Sequence, residues 1–139
     1  MKLDALRINQ ISPEVFDRYC RYLVAMDNAD LPALLAFFHE DCALQINNHL
    51  PMHGHTAIGA AFERYWEAIN TIEHELLNIY GNDERFCVEM LCHYTRKDGT
   101  QVTLPAAVFM DRSADGRIAW ARSYIDATPV HDAFTRQYA

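Results

Sequence analysis

The chain has 139 residues, half of them hydrophobic, which suits one folded domain over 1–139 with an apolar core. Its formal net charge of -7 argues against nucleic acid or an anionic membrane as a partner. No apolar run has the roughly 18–20 residues of a spanning helix, and the N-terminal segment lacks the apolar core of a signal peptide. We therefore expect a cytoplasmic protein.

The first half of the chain predicts three helices. The first is expected over 12–28, where Ser12 can cap the N-terminus and Pro13 suits the first turn. The elements that follow are a helix over 30–40 capped by Asp30, a strand over 41–47, a turn-rich link over 48–55 with a brief strand at most, and a helix over 56–70. Apolar side chains recur at helical spacing in the first and third helices and are predicted to face the core. They are Val15, Tyr19, Tyr22, Leu23, Met26, Ile58, Phe62, Tyr65 and Ile69.

The second half predicts four strands, over 71–80, 84–96, 101–111 and 117–127. The turns between them carry the Gly, Asn and Asp residues that hairpins require. Helices followed by a strand meander indicate an α+β domain. We expect a curved mixed or antiparallel sheet wrapped around the helices, which makes a cone with an internal cavity.

The strand over 101–111 is apolar on both faces. One face fills the cone, and the other would be exposed in a monomer. This pattern favours a homodimer through the outer face of the sheet. The alternative is that the C-terminal segment 132–139 covers this face.

A buried histidine is the first candidate for function. Strand alternation places Ile72, His74, Leu76, Asn78 and Tyr80 on one face of the strand over 71–80. A buried imidazole needs a hydrogen-bond partner. His74 is either a core histidine bonded to a backbone carbonyl or, with Asn78, one of two polar groups that converge in the cavity.

Asp27 is the second candidate. It lies near the C-terminal end of the first helix, where the helix dipole disfavours a carboxylate. It is either a solvated or capping residue or a functional one. Tyr22 and Asp27 are five residues apart, about 140° around an ideal helix. Both can face one cavity only if the helix frays or bends near Asp27.

Other histidines and the cysteines are expected to have ordinary roles. Alternation turns His93 outward, and only a bulge would bring it into the cavity. The histidines of the 48–55 link lack a third metal ligand at suitable spacing, so we expect a solvated loop without a metal. They are His49, His53 and His55. No cysteine pair has C-x-x-C spacing, and all four are expected to be small core residues in a reducing compartment. They are Cys20, Cys42, Cys87 and Cys92.

Four segments in this order resemble the nuclear transport factor 2-like superfamily, and within it the SnoaL-like proteins. They are YLVAMDNADLPALLAFFHEDCAL, HGHTAIGAAF, HELLN and GRIAWARSYID. The resemblance runs from about Val15 to Asp126 and implies an α+β cone. Steroid isomerases of this superfamily have an acidic base and an acidic oxyanion donor, but the matching positions here are Ile46 or Asn47 and Ala107. Limonene-type epoxide hydrolases place an aspartate after the arginine of the last strand, where this chain has Ser123.

The dehydratase branch, with scytalone dehydratase and bile-acid 7α-dehydratase, is more similar. This resemblance implies that Tyr22, Asp27 and His74 are catalytic, and His93 is a looser match for a fourth polar residue. The predicted ligand-contacting residues are Asn78, Met90, Tyr94, Phe62, Ser123 and His93. We expect a small lyase or isomerase that acts on a hydrophobic cyclic molecule by acid–base catalysis without a cofactor. The alternative is a non-catalytic ligand-binding or accessory subunit with the same fold.

Overall fold

Local capping signals set the start of the first two helices in the computed structural model, which describes residues 1–130. The Ser12 hydroxyl accepts a hydrogen bond from the backbone N–H of Val15, and Asp30 Oδ1 accepts one from Ala33. Both predicted caps are confirmed. No helix in the described part of the chain is long and apolar enough to cross a membrane.

The described residues form seven strands, three helices and one 3-10 turn. They are β1 (Ile8–Asn9), α1 (Pro13–Asp27), α2 (Leu31–Leu35), β2 (Phe38–Ile46), β3 (Met52–His53), α3 (Gly54–Glu67), β4 (Thr71–Gly81), β5 (Arg85–Thr95), β6 (Gln101–Arg112), β7 (Ile118–Tyr124) and a 3-10 turn (Thr128–Val130). The seven strands form one sheet in the order β1-β4-β5-β6-β7-β2-β3. The β1–β4 and β2–β7 pairs are parallel and the other pairs are antiparallel. The predicted α+β cone with a mixed sheet is confirmed.

Aromatic side chains join the helices to the sheet in the core. Phe38 on β2 has no exposed surface, and its ring centroid lies 5.7 Å from that of Tyr22 on α1 and 6.4 Å from that of Phe62 on α3. Aromatic contacts of this kind stabilise a core beyond the area that they bury. These contacts fix α1 and α3 against the same side of the sheet, and a cavity is left between the two helices and the sheet.

The second helix is shorter than the predicted 30–40, and that boundary is wrong. Helix α2 ends at Leu35, and β2 begins at Phe38. The reason is tertiary, because Phe38 pairs with Ile118 of β7 and is drawn into the core. Helix propensity is a weak preference that such packing overrides.

A bulge in β4 changes which of its residues face the core. Leu76 pairs with Met90 and Asn78 pairs with Glu89, so Leu77 is an extra residue opposite β5. One inserted residue reverses the alternation beyond it. Ile79 therefore takes the inner face and is fully buried, whereas Tyr80 is exposed. The predicted shared face of residues 72–80 is wrong after Leu76.

The outer face of β6 and β7 carries exposed aromatic side chains. Phe109 and Tyr124 pack edge to face with ring centroids 5.8 Å apart. The Arg122 guanidinium lies 5.2 Å from the ring centroid of Trp120 and 5.8 Å from that of Phe109. The predicted apolar outer face is thus present in the monomer. The alternative cover by residues 132–139 lies outside the described residues.

Candidate functional site

A cavity of about 200 Å³ lies between α1, α3 and the inner face of the sheet. We call it the main cavity. Its wall is mostly apolar, as is usual for small-molecule sites. Four of the predicted ligand-contacting residues border it, namely Phe62, Met90, Tyr94 and Ser123. The residues of its wall that carry polar groups include His74, Ser123 and four tyrosines.

His74 meets Asp27 at the edge of this cavity. The imidazole Nδ1 lies 2.5 Å from Asp27 Oδ1, and the backbone N–H of His74 donates to Oδ2 at 3.3 Å. Both side chains are at most 9% exposed. The imidazole borders the main cavity, and its Nε2 makes no hydrogen bond with residues 1–130. Asp27 therefore holds the ring by one nitrogen and leaves the other to face the cavity.

The N-terminal amino group supports the same carboxylate. The Met1 ammonium lies 3.3 Å from Asp27 Oδ2 and 3.1 Å from Glu73 Oε2. Burial alone would favour the neutral amine, but hydrogen bonds to Glu73 and Asp27 outweigh it and raise the pKa of the Met1 amino group. Asp27 thus has two hydrogen bonds to His74 and an ion pair with Met1, which fix its orientation.

Tyr22 borders the main cavity from α1 and is 3% exposed. Its hydroxyl makes no hydrogen bond with the described residues, and burial raises the pKa of Tyr22, so the phenol stays a donor. Helix α1 continues through Asp27 without fraying early. As expected for a helix without a bend, Tyr22 and Asp27 do not face one cavity, because Asp27 does not border it and contacts His74 instead.

Tyr65 and Cys92 also border the cavity, although neither is among the residues predicted for the site. The Tyr65 hydroxyl donates to that of Tyr94 at 2.7 Å. Cys92 lies opposite His74 on β5, and burial raises the pKa of its thiol to about 12. Tyr65 fits the apolar stripe of α3 and Cys92 that of β5, so neither position carries a signal in the sequence that separates it from the core.

Asn78 does not join His74 in the cavity, and that prediction is wrong. Its Oδ1 accepts a hydrogen bond from the backbone of Ile8 at 3.2 Å, and its amide donates to Glu89 Oε1 at 2.8 Å. The bulge at Leu77 turns its side chain to the outer face. Asn78 links β1 to β4 and is not among the residues that border the main cavity.

His93 also lies outside the cavity. Its Nε2 is 2.8 Å from Glu75 Oε1 and its Nδ1 is 2.8 Å from Thr103 Oγ1, all on the outer face of the sheet. The outward orientation that alternation predicts is confirmed. Its inclusion among the ligand-contacting residues is wrong, because β5 has no bulge at this position.

The predicted link over 48–55 contains β3, a strand of two residues, and the first residues of α3. His55 is half-buried, and its Nε2 lies 2.9 Å from the Phe38 carbonyl oxygen, whereas His49 and His53 are exposed as expected. Within residues 1–130 no three His, Cys, Asp or Glu side chains are grouped as ligands for a metal ion.

A family model described as a SnoaL-like domain matches residues 18–121. The chain belongs to the SnoaL-like domain family. The matched stretch begins in α1 and ends in β7, so it includes both Asp27 and His74. A comparison with curated proteins found no significant match.

Several solved structures are similar to this chain. A proposed polyketide cyclase from Xanthomonas campestris is 24% identical, with a TM-score of 0.68 over 81% of this chain and 90% of that one. A hypothetical protein with a ketosteroid isomerase-like fold from Catenulispora acidiphila, solved with trimethylamine, is 17% identical, with a TM-score of 0.73 over 86% and 90%. An LEH-like epoxide hydrolase from M. tuberculosis is also 17% identical, with a TM-score of 0.70 over 88% and 90%. At these identities the likeness establishes the fold.

Proposed function

We propose that this protein is a small lyase or isomerase of the dehydratase or cyclase type, which acts on a hydrophobic cyclic molecule without a cofactor. The observation that carries the proposal is the contact between Asp27 and His74 at the wall of an apolar cavity. Pairs of this kind are typical of general acid–base sites. The proposed cyclase among the similar structures supports a cyclic ligand.

Asp27 sets the proton arrangement of the imidazole. Its carboxylate accepts a hydrogen bond from Nδ1–H, which leaves the lone pair of Nε2 directed to the cavity. His74 can then remove a proton next to a carbonyl group and return it to another atom of the ligand. The Asp27 charge stabilises the imidazolium that forms in between. Such acid–base catalysis contributes about 10²–10⁴-fold to a rate.

Tyr22 has the complementary role in this mechanism. When His74 takes a proton from carbon, negative charge develops on the carbonyl oxygen of the ligand. A phenol that stays protonated and has no hydrogen-bond partner among residues 1–130 can donate to that oxygen. Phe62, Met90, Tyr94 and Ser123 border the same space and would contact the body of the ligand.

Deuterium exchange tests the proposal before the natural substrate is known. A panel of cyclic ketones is incubated in D₂O with the protein, and exchange of the hydrogens next to the carbonyl is followed by NMR. The wild type should accelerate exchange of at least one compound, and His74→Ala should lower that rate at least about 10²-fold because the base is lost.

His93→Ala is the matched control, since His93 also pairs with a carboxylate but on the outer face. It should exchange at the wild-type rate. Equal loss in both variants, or a wild-type rate in folded His74→Ala, would contradict the mechanism. A panel that binds without any exchange would favour the non-catalytic binding subunit instead.

We also propose a homodimer through the outer face of the sheet. Phe109, Trp120 and Tyr124 form an exposed aromatic patch there, and patches of this kind often mark interfaces. Light scattering after gel filtration should give twice the chain mass of 16.0 kDa for the wild type and the chain mass for Trp120→Lys. Leu50→Lys, at a turn position that is 88% exposed, is the control and should remain dimeric. A monomeric wild type would refute the dimer.

The cytoplasmic location stays a prediction. Fractionation of cells that express the full chain at its natural level is the measurement that addresses it.

A further inference from the structure

The side chain of Asn47 extends the sheet by one step. It follows β2, whose last residue Ile46 pairs with Ser123 of the parallel strand β7. The backbone N–H of Asn47 donates to the Ser123 carbonyl oxygen at 2.8 Å. Its Oδ1 accepts a hydrogen bond from the backbone N–H of Ile125 at 3.0 Å, and its Nδ2 donates to the Ile125 carbonyl oxygen at 2.6 Å. The amide therefore pairs with Ile125 as a peptide group of a neighbouring strand would.

The backbone conformation at Asn47 restricts which residue can make this contact. Its φ is +51°, in the left-handed region. Asparagine adopts that region more readily than most L residues, and glycine adopts it without strain but has no amide. Aspartate would keep the acceptor and lose the donor. Asparagine thus supplies both the turn that ends β2 and the two bonds to Ile125.

The chain that Asn47 holds forms part of the wall of the main cavity. Ile125 and Ala127 border the cavity, and both are half-buried. Half-buried wall residues also occur at the end of β2 and on α3, which packs against β2. They include Ile46, Ala61 and Tyr65. The wall around His74, by contrast, is buried. Because a cavity opens where its wall is exposed, its mouth lies between α3, the end of β2 and residues 125–127.

The chain over residues 125–130, which we call the strap, is held at both ends. Asn47 fixes it at Ile125, as described above. At the other end Arg96 Nη1 donates to the Pro129 carbonyl oxygen at 3.1 Å, and Val130 is buried. Asn47 therefore sets the position of the end of the strap that borders the cavity.

We propose that Asn47 determines which ring sizes enter the main cavity, because it fixes Ile125 at the mouth. It is a positioning residue, since it does not border the cavity itself. While both hydrogen bonds hold, Ile125 narrows the mouth and slows the passage of ring compounds. Once they are lost, Ile125 is free to swing outward. The inference rests on the proposed function only in taking the main cavity as the ligand site.

Binding kinetics test this inference without relying on catalysis. The two-ring ketone 1-tetralone and the three-ring ketone 9-fluorenone are mixed with the protein by stopped flow. Tryptophan fluorescence reports binding, since Trp66 packs on the cavity residue Phe62. Asn47→Gly keeps the left-handed backbone and removes the amide. For 1-tetralone its association and dissociation rate constants should both rise about 10-fold, because each lost hydrogen bond is worth a factor of about five. The gain in association rate should be larger for 9-fluorenone, which needs a wider mouth.

Asn82→Gly is the matched control. Asn82 also makes two hydrogen bonds to the backbone, in the turn between β4 and β5, and it does not border the cavity. Its replacement should leave the rate constants at the wild-type values. Hydrogen exchange followed by NMR gives a second readout, in which the Ile125 N–H should exchange faster in Asn47→Gly than in the wild type.

A role in stability alone would not raise an association rate constant. Unchanged association rates in folded Asn47→Gly, an equal rise in Asn82→Gly, or equal protection of the Ile125 N–H would overturn the proposal. So would a wild type that binds neither ketone. If the predicted rate changes occur but the wild type catalyses no deuterium exchange, the proposed chemistry fails and the role of Asn47 stands.

Discussion

Replacement of Asp27 by asparagine is the sharpest test of how the site would act. In the proposed mechanism His74 accepts a proton and becomes an imidazolium next to the Asp27 carboxylate. Two unit charges about 4 Å apart at an effective dielectric of about 20 attract each other by about 4 kcal/mol. Because 1.36 kcal/mol is a factor of ten in rate, loss of the charge should slow proton transfer about 10³-fold.

The surroundings of Asp27 make the effect of Asp27→Asn hard to offset. Asp27 Oδ1 faces His74 Nδ1, while Oδ2 faces the backbone N–H of His74 and the Met1 ammonium. The amide nitrogen of an asparagine must point at one of these donor sets. If it faces the ring, it donates to Nδ1 and puts the imidazole proton on the wrong nitrogen. If the amide nitrogen instead takes the place of Oδ2, it faces the backbone N–H of His74 and the Met1 ammonium, which are both donors.

Deuterium exchange of a reactive cyclic ketone is the assay, with circular dichroism to confirm that Asp27→Asn is folded. Glu75→Gln makes the same change beside His93 on the outer face and serves as the control. We expect Asp27→Asn to lose about 10³-fold and Glu75→Gln to stay at the wild-type rate. A folded Asp27→Asn variant within about threefold of the wild type would refute this account of Asp27.

Two further predictions concern the fold and the cavity. Gly81→Ala should lower the free energy of unfolding by about 3 kcal/mol or more in urea titrations. The reason is that φ is +125° at Gly81 and a Cβ there would lie 2.3 Å from the Arg85 carbonyl oxygen. Gly99→Ala, with open space around it, is the control and should lower the free energy of unfolding by only about 1 kcal/mol. Similar losses in the two variants would contradict the close approach at Gly81. Burial raises the pKa of the Cys92 thiol to about 12. Cys92 should therefore resist alkylation by iodoacetamide at pH 9 in the folded protein and react once urea unfolds it. The stability that the protonated thiol contributes should fall as the pH rises from 9 towards 12. Peptide mass spectrometry reads out the modification, and labelling of Cys92 as fast as that of the partly exposed Cys87 would show that the thiol is not protected.

Local signals in the sequence were enough for much of this fold. The cap at Ser12, the apolar spacing in α1 and the glycine turns each depend on neighbours along the chain. The end of α2 depends instead on the pairing of Phe38 with Ile118, which are 80 residues apart in the sequence. No local pattern contains that information.

The candidate site likewise contains residues that local signals mark and residues whose position depends on the assembled fold. Asp27 could be singled out because a carboxylate at the end of a helix opposes the dipole, and His74 because it interrupts an apolar face. Asn78 was misplaced because a bulge of one residue reverses strand parity, and nothing in the sequence around Leu77 marks it. Tyr19 belongs to the apolar stripe of α1 that is predicted to face the core, and it is buried there.

The position of the proton on His74 tests the central claim most directly. A long-range proton–nitrogen NMR spectrum of the imidazole in its neutral form distinguishes the two ring nitrogens. We predict that Nδ1 carries the proton, bonded to Asp27, and that a cyclic ketone added to the sample shifts the signal of Nε2. A neutral ring protonated on Nε2, with Nδ1 free, would contradict the arrangement on which the proposed chemistry depends.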